Sequence, residues 1–518
     1  MKKLITNLLV LSTFLSNAQH IVNYGMLGNP TNLISNPSAD PMTNFHLGYA
    51  YFNQDLNFGL TAGDLFAGGN GVLGNLSALD KDLFTVTNEL HLDAINIGFK
   101  IGKNYLYAGT QLDFWTRLDV DLDMIRFAYS GMTDDLGNLD SNFVGDFSDF
   151  GFSQDAIGTA YIGFQRSFWD NRLRIGAAYN QNRYYAGVRM ITNELSLTST
   201  PQTNGLVELD VGIDLDIISS NFFDKKDITD LSVDSLKSKV VHFDKDGNIN
   251  VSLPNLLATP MGISNSFNIG FTAMPLRQLE FSFNINGLGI SGFTGLGDAQ
   301  HKLKESKNIS GFVYNSQPGD TIVDEINNVI AEYIDELDSL NTTLYFQTPS
   351  AYEVVIPRTI QSAMNFYISR RSYIGIHYTS RSNSVRDYDY LGFNGFWWCA
   401  NQLQVKAGYY VALDGMNANF LNLALQFRLT PLMQVFVGTR SLMDFATIGN
   451  ELISSEVDLK DFTINDLVVP SNFSNIHLTA GASLSLFDKR LKDEKKTREA
   501  AKKGNEVKKI SKDQEVPL

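Results

Sequence analysis

The sequence predicts an all-β fold, a transmembrane antiparallel β-barrel of about fourteen strands. Three observations predict it: an export leader, apolar and polar residues that alternate with period two over long runs, and tight turns that alternate with long connections. The leader reads Met1-Lys2-Lys3, an apolar stretch from Leu4 to Leu15, then Ser16-Asn17-Ala18 before Gln19. A cationic start, a short apolar stretch and small residues at the cut make residues 1–18 a secretory signal peptide, with the mature chain starting at Gln19. No Cys follows the cut, so lipidation is chemically closed there. Beyond it no apolar run reaches about eighteen residues, which disfavours a spanning helix.

Period two is clearest in the last strand. Ile476, Leu478, Ala480, Ala482, Leu484 and Leu486 share one face; His477, Thr479, Gly481, Ser483 and Ser485 share the other. Leu403, Val405, Ala407, Tyr409 and Val411 repeat the pattern, as do Leu421, Leu423, Leu425, Phe427 and Leu429. Runs of about ten residues match the length a tilted strand needs to cross a bilayer. Tight turns are predicted at 102–104, 170–171, 275–277, 370–371, 400–401 and 430–431, and long connections at 116–155, 192–263, 291–359 and 444–474. Short turns on one side and long loops on the other are how outer-membrane barrels divide their periplasmic and external ends.

Tracing up and down gives spans near 45–53, 90–101, 105–115, 157–168, 172–186, 264–274, 279–290, 360–369, 373–381, 389–398, 402–412, 418–429, 432–441 and 475–487. The chain then divides into the leader 1–18, a plug-like segment 19–44, the barrel 45–487 and a charged periplasmic tail 488–518. Trp115, Phe168, Trp169, Tyr184, Tyr185, Trp397, Trp398 and Phe487 stand near strand ends and are expected in the interfacial girdles. On the polar faces, Lys100, Arg174, Glu280, Lys406, Arg428 and Arg440 face the lumen, where they either select ions or pair and fill the interior.

Composition excludes several classes. Among 518 residues, 12% aromatic with 41 Gly and only 13 Pro suits a strand-rich chain, and Cys399 alone rules out an intramolecular disulfide framework. A net charge of -15 argues against nucleic acid as a partner. No pair among His46, His91, His242, His301, His377 and His477 stands at metal-ligand spacing, so no metal, cofactor or catalytic residue is predicted and the chain is not read as an enzyme. His46 and His477 fall on the two closing strands at opposite axial ends and are not expected to meet. Gly287-Leu288-Gly289-Ile290-Ser291-Gly292 matches a dinucleotide fingerprint in letters, but no helix follows; glycines at a barrel bend are the better reading. Asp244-Lys245-Asp246-Gly247-Asn248 lacks the EF-hand spacing and reads as a hairpin turn.

Two motifs carry a resemblance. Thr479, Gly481, Leu484 and Leu486, followed by Phe487, resemble the closing-strand signal read by the outer-membrane barrel-assembly machinery. Asn36-Pro37-Ser38 resembles the Asn-Pro-Ala element of the FadL family, fourteen-stranded long-chain fatty-acid channels with an N-terminal plug. Over its length the chain resembles FadL-like barrels of gliding, type IX-secreting Gram-negative bacteria, and more distantly the PorV-type barrels of that secretion system. It departs from FadL in Ser38, which stands for Ala, and in a shorter plug. The leader, the period-two spans and the even strand count imply a cell outer-membrane location and contact with outer-membrane lipid; the resemblance implies a channel for small lipophilic or other small molecules. Its alternative is a non-transport barrel that scaffolds secretion-system or surface proteins. Residues 320–340 read as an amphipathic helix with Ile322, Ile326, Ile330 and Ile334 on one side, placed in an external loop. In FadL-like barrels such a helix would line an apolar receiving groove; packing on the rim is the other reading.

Overall fold

The computed structural model describes residues 22–487 except 58–82, 128–142, 202–206, 221–240, 252–259, 313–344, 347–351, 442–474 and shorter stretches in connections. The leader, the 320–340 helix with Ile322, Ile326, Ile330 and Ile334, and the tail 488–518 lie outside the described residues.

From the N-terminus, one helical turn, α1 (Asn32–Ser35), precedes β1 (Thr43–Asn57), β2 (Leu83–Ile101) and β3 (Asn104–Asp121). A short β4 (Val144–Asp146) leads to β5 (Gly151–Phe168) and the long β6 (Leu173–Pro201). The chain then forms β7 (Val207–Ser220), β8 (Val241–Phe243) and β9 (Ile249–Val251), and returns as β10 (Gly262–Leu276) and β11 (Leu279–Gly289). It leaves again for β12 (Gly292–Leu296), β13 (Ala299–Phe312), β14 (Tyr345–Phe346) and β15 (Tyr352–Val355). It finishes with β16 (Arg358–Ser369), β17 (Ser372–Ser382), β18 (Tyr388–Trp398), β19 (Leu403–Ala412), β20 (Phe420–Arg428), β21 (Met433–Thr439) and β22 (Asn475–Phe487).

Fourteen of these strands, β1 to β3, β5, β6, β10, β11 and β16 to β22, pair antiparallel in a ring. The ring closes where β1 meets β22, from Thr43 opposite Phe487 to Asn57 opposite Asn475. Closure leaves this ring of strands without an edge, which is how a barrel pairs its backbone groups at membrane depth. Each of the fourteen strands overlaps a span read from the sequence.

The reason for period two is visible in the burial. Ile95, Ile97, Phe99 and Ile101 of β2 are exposed on the outside, while Asn96 between them is buried in the lumen. Phe267, Ile269 and Phe271 of β10 alternate in the same way with Ser266, Asn268 and Thr272. A belt of exposed apolar residues around a closed barrel is a lipid-facing surface. No helix among the described residues is long and apolar enough to cross a membrane. Register shifts interrupt the alternation. In the β2–β3 ladder the shift between Asp93 and Ile95 passes the inward parity from Asn96 to Asp93 and His91. Another shift, in β5–β6, comes between Ala156 and Ile157.

The sequence reading of the long connections needs correction. Residues 116–155, 192–263 and 291–359 are not plain loops: they hold β4, β7 to β9, β12 to β15, and the outer ends of β3, β5 and β6. Beyond Gly187, β6 pairs with β7, β7 pairs with β13, and β4 lies on β6's other side. This crown stands above the belt on its own core of Leu56, Phe84, Val86, Leu118, Val120, Leu122, Met124 and Phe147. The strands β8 and β9 pair antiparallel, while residues 244–248 between them lie outside the described residues. Gly287 and Gly289 sit in β11 with φ of 76° and 123°, and a Cβ at Gly287 would strike the Pro357 carbonyl; they are bend glycines.

Candidate functional site

The lumen is filled from the tight-turn end by the N-terminal segment. The segment pairs some of its own peptide groups, as Leu33 with Pro30 and Asn36 with Asn32, but not all, and buried carbonyls must be paired. Side chains from six barrel strands supply the donors. Lys406 Nζ donates to the Val22 carbonyl at 3.1 Å, Tyr373 Oη to Gly25 at 2.9 Å and Gln434 Nε2 to Gly28 at 3.1 Å. Asn284 and Asn286 both donate to Ser35 at 2.7 Å, Arg174 Nε to Ser38 at 3.0 Å and Gln165 Nε2 to Ala39 at 2.7 Å. Each neutral bond of this kind is worth about 0.5–1.5 kcal/mol net and those from Lys406 and Arg174 about 1.5–3 kcal/mol, so the plug is held by the barrel rather than resting in it.

The Asn36-Pro37-Ser38 motif has a fitted seat. Asn36 Oδ1 accepts from the Ser38 amide at 2.9 Å and from Ser38 Oγ at 2.7 Å, which folds the motif into a compact turn. Ser38 Oγ also lies 2.6 Å from Thr272 Oγ1 on the wall. Below the motif, Gly176 of β6 and Gly270 of β10 are register partners, and together they make a notch without side chains. A Cβ at Gly176 would run into the Pro37 carbonyl; one at Gly270 would lie 2.6 Å from Asn36 Oδ1 and 2.8 Å from the Ser38 amide. Tyr24 completes the seat. Its ring stacks on His377 at 4.3 Å, and its hydroxyl donates to Asn284 Oδ1 at 3.2 Å and contacts Ser282 Oγ at 3.0 Å. Burial pushes the Tyr24 phenol above its ordinary value, so it remains a donor.

The six charged residues expected in the lumen lie on inward faces, but they do not form a selective ring. Arg174 joins Glu280 at 3.0 Å and Asp40 of the plug at 3.8 Å. Lys406 is occupied by the plug, Arg440 pairs with Asp55, and Arg428 lies 4.4 Å over the Trp398 ring. Lys100 lines a small pocket with Asp40, Lys103 and Thr43 at the tight-turn end. Sequence reasoning missed the central charges: Glu89 paired with Arg381 at 2.7 Å, and His91 between Asp113 at 2.8 Å and Asp93 at 3.1 Å. His46 and His477 do not meet, since His46 pairs with Ser485 and His477 with Asp55.

The girdle reading is partly overturned. Trp169 and Trp397 are exposed, but Trp115, Tyr184, Tyr185 and Trp398 are buried. Trp115 shares the inward parity of Gln111 and Asp113 on β3 and helps line a cavity with them, a signal that strand parity carried and proximity to a strand end hid. In the closing strand, Thr479, Ser483 and Ser485 are buried while Leu478, Leu484 and Leu486 are exposed to lipid. Gly481 packs against Phe436, and the Phe487 backbone closes on Thr43.

Two cavities share the lumen. The lower, about 400 Å³, opens at the tight-turn end and is lined by Tyr24, Met26, Asn36, Arg174, Glu280 and Tyr367 among others. The upper, about 150 Å³, is lined by Ser35, His91, Trp115, Asn182, Asn286 and Arg381 among others. One turn of plug divides them: Asn32 and Asn36 face the lower, Ile34 and Ser35 the upper. A cap stands beside the upper one, which Ile356 and Pro357 line. β12 pairs with β15, and Phe293, Leu296, Tyr352, Val354 and Ile356 pack against Trp115, Ile157, Tyr184 and Ile218. Tyr184 Oη donates to Asp155 at 2.7 Å and meets Tyr352 Oη at 2.7 Å, while Arg189 lies 4.8 Å over the Tyr352 ring. Burial pushes the Tyr352 phenol up to about 12, so it stays protonated across the physiological range.

Tyr352→Phe removes one hydroxyl from this latch. The expected cost is about 1 kcal/mol, confined to the cap: amide exchange over 292–296 and 352–355 quickens while the barrel's heat stability is unchanged. Equal exchange in variant and parent would show that packing alone holds the cap.

A family model, the family of unknown function DUF5723, matches residues 37–439, from inside the Asn-Pro-Ser motif to the end of β21. The chain belongs to that family. No curated protein sequence matches this DUF5723 chain. Solved structures similar to it include a FadL homologue from Pseudomonas aeruginosa, at 10% identity and TM-score 0.42, covering 91% of this chain and 98% of that one. The Pseudomonas putida toluene transporter TodX is similar at 10% identity and TM-score 0.40, with the same coverage. The CymD monoaromatic hydrocarbon channel is similar at 9% identity and TM-score 0.37, covering 89% and 93%.

Proposed function

We propose that this DUF5723 protein is an outer-membrane channel of the FadL kind for small molecules, lipophilic or otherwise. Its tight turns face the periplasm and its crown faces outward. The carrying observation is the pair of lumen cavities on either side of the turn Asn32–Asn36, which lines both: displacement of that turn would join them, and movement of the cap would open the upper one outward. The lumen charges are paired or occupied, which suits a wall better than a reaction centre. The whole-chain resemblance to FadL-like barrels supports a source among gliding, type IX-secreting bacteria. Outer-membrane lipid and, through Thr479, Gly481, Leu484, Leu486 and Phe487, the barrel-assembly machinery are its proposed partners.

The seat of the plug provides the test. Gly176→Val with Gly270→Val fills the notch from two strands and drives the motif out, while both positions stay on the lumen face and leave the lipid belt intact. In liposomes the parent is expected near the bilayer's own leak and the double variant at the permeability of a water-filled pore. A correctly inserted double variant as tight as the parent would overturn the channel reading.

A further inference from the structure

One wall of the upper cavity is a connected network of amides and hydroxyls. Thr159 Oγ1 donates to Asn182 Oδ1 at 2.9 Å, Asn182 Nδ2 to Ser266 Oγ at 3.1 Å, and Asn180 Nδ2 to Ser266 Oγ at 3.3 Å. Asn180 Nδ2 also reaches Asn268 Oδ1 at 2.9 Å, which accepts the Gly287 amide at 3.0 Å. These bonds tie β5, β6, β10 and β11 into one polar surface and fix the orientation of each amide. Ser266 Oγ accepts twice, so its own proton is left to donate.

Opposite groups are held ready. Trp115 is 3% exposed and lines the cavity, yet its indole N–H has no partner among the described residues; the same holds for Asn286 Oδ1, whose amide nitrogen is committed to the plug. A buried donor and a buried acceptor left unmade cost about 1–3 kcal/mol each, a cost that the cavity's contents can relieve. The charges, by contrast, are spent on each other: Glu89 on Arg381, Asp93 and Asp113 on His91. Three carboxylates outweigh the guanidinium and the imidazole, which repels anions; the Trp115 N–H and Asn286 Oδ1 are neutral groups that suit an uncharged partner, and choline in the test below reads a cation instead.

The geometry points to this cavity as a binding site for a small uncharged polyhydroxylated solute, a polyol or monosaccharide of one ring. The inference rests on the channel reading and names the cargo class of that route. Each hydroxyl both donates and accepts, so one ring can meet the Trp115 N–H, the Ser266 proton and the Asn286 oxygen together. A hydrocarbon would leave all three unmade. The volume, about 150 Å³, agrees with one six-membered ring, since a cavity of that size holds benzene. The cap borders the site through Ile356 and Pro357, and the plug turn borders it through Ile34 and Ser35.

The test uses the full chain in detergent, titrated by calorimetry with D-xylose, D-glucose and myo-inositol, and separately with toluene, benzoate and choline. The expected result is saturable binding of at least one of the first three, weakened about tenfold in Trp115→Phe, which keeps the ring and loses one hydrogen bond. Asn286→Leu is expected to weaken it as much, and the lipid-facing Trp397→Phe to leave it unchanged. Binding of toluene, benzoate or choline that is lost in Trp115→Phe, without sugar binding, overturns the proposal. So does silence from every probe, which makes the cavity a water pocket. Failure here is separable from failure of the channel reading, because binding is measured without a membrane and permeability is read on the plug variant.

Discussion

With Leu484 and Leu486 both replaced by Asp, the chain is expected to leave the membrane fraction. Both side chains are exposed on the outer face of the closing strand, opposite buried Ser483 and Ser485. Each leucine loses about 1.5–3 kcal/mol of apolar burial, and each carboxylate adds a depth-dependent penalty on the lipid face. The two changes together rival the whole stability of an ordinary domain. They also erase the apolar half of the proposed assembly signal. Deleting 488–518 is expected to leave insertion intact, because the last β1–β22 pair, Thr43 with Phe487, precedes the cut. The measurement is membrane fractionation with heat-modifiable migration. A double Asp variant that inserts normally while the tail deletion fails would reverse the facing and the end of the barrel.

That facing was legible before any coordinates, for a physical reason. Lipid on one side and a filled polar lumen on the other force alternation along every span, so Ile476 to Leu486 carries its own orientation. The crown is a different case. Past Ile191, β6 runs Thr192-Asn193-Glu194-Leu195-Ser196-Leu197, with no lipid to make its outer face apolar, so a true strand reads like a loop. Bulges blurred the rest: the shift at Asp93 hides that His91 faces inward with Asn96. The plug motif was visible as three letters, whereas its seat was not. Gly176 and Gly270 are distant in sequence and become one notch only when β6 and β10 pair. Trp115 shows the cost of judging an aromatic by its distance from a strand end instead of by its parity.

The second large effect is expected at the seam. Arg440, just past β21, is among the largest fully buried side chains and pairs with Asp55 of β1, reaching across β22. His477 of β22 sits beneath the bridge: its register partner is Asp55, and its Nδ1 accepts the Arg440 amide at 3.2 Å. The pair therefore ties together the three strands that meet when the first and last close the ring. Asp55→Leu strands the guanidinium inside the lumen, and breaking one side of a buried pair costs about 3–5 kcal/mol. Arg440→Met strands the carboxylate at a similar cost. Both changes together leave no uncompensated charge, so most of the loss is expected to return in the double variant. The readout is the temperature at which each barrel loses its heat-modifiable mobility, taken as a double-mutant cycle. Strictly additive losses would show that Asp55 and Arg440 are not coupled, and that the β1–β22 ladder alone holds the seam closed.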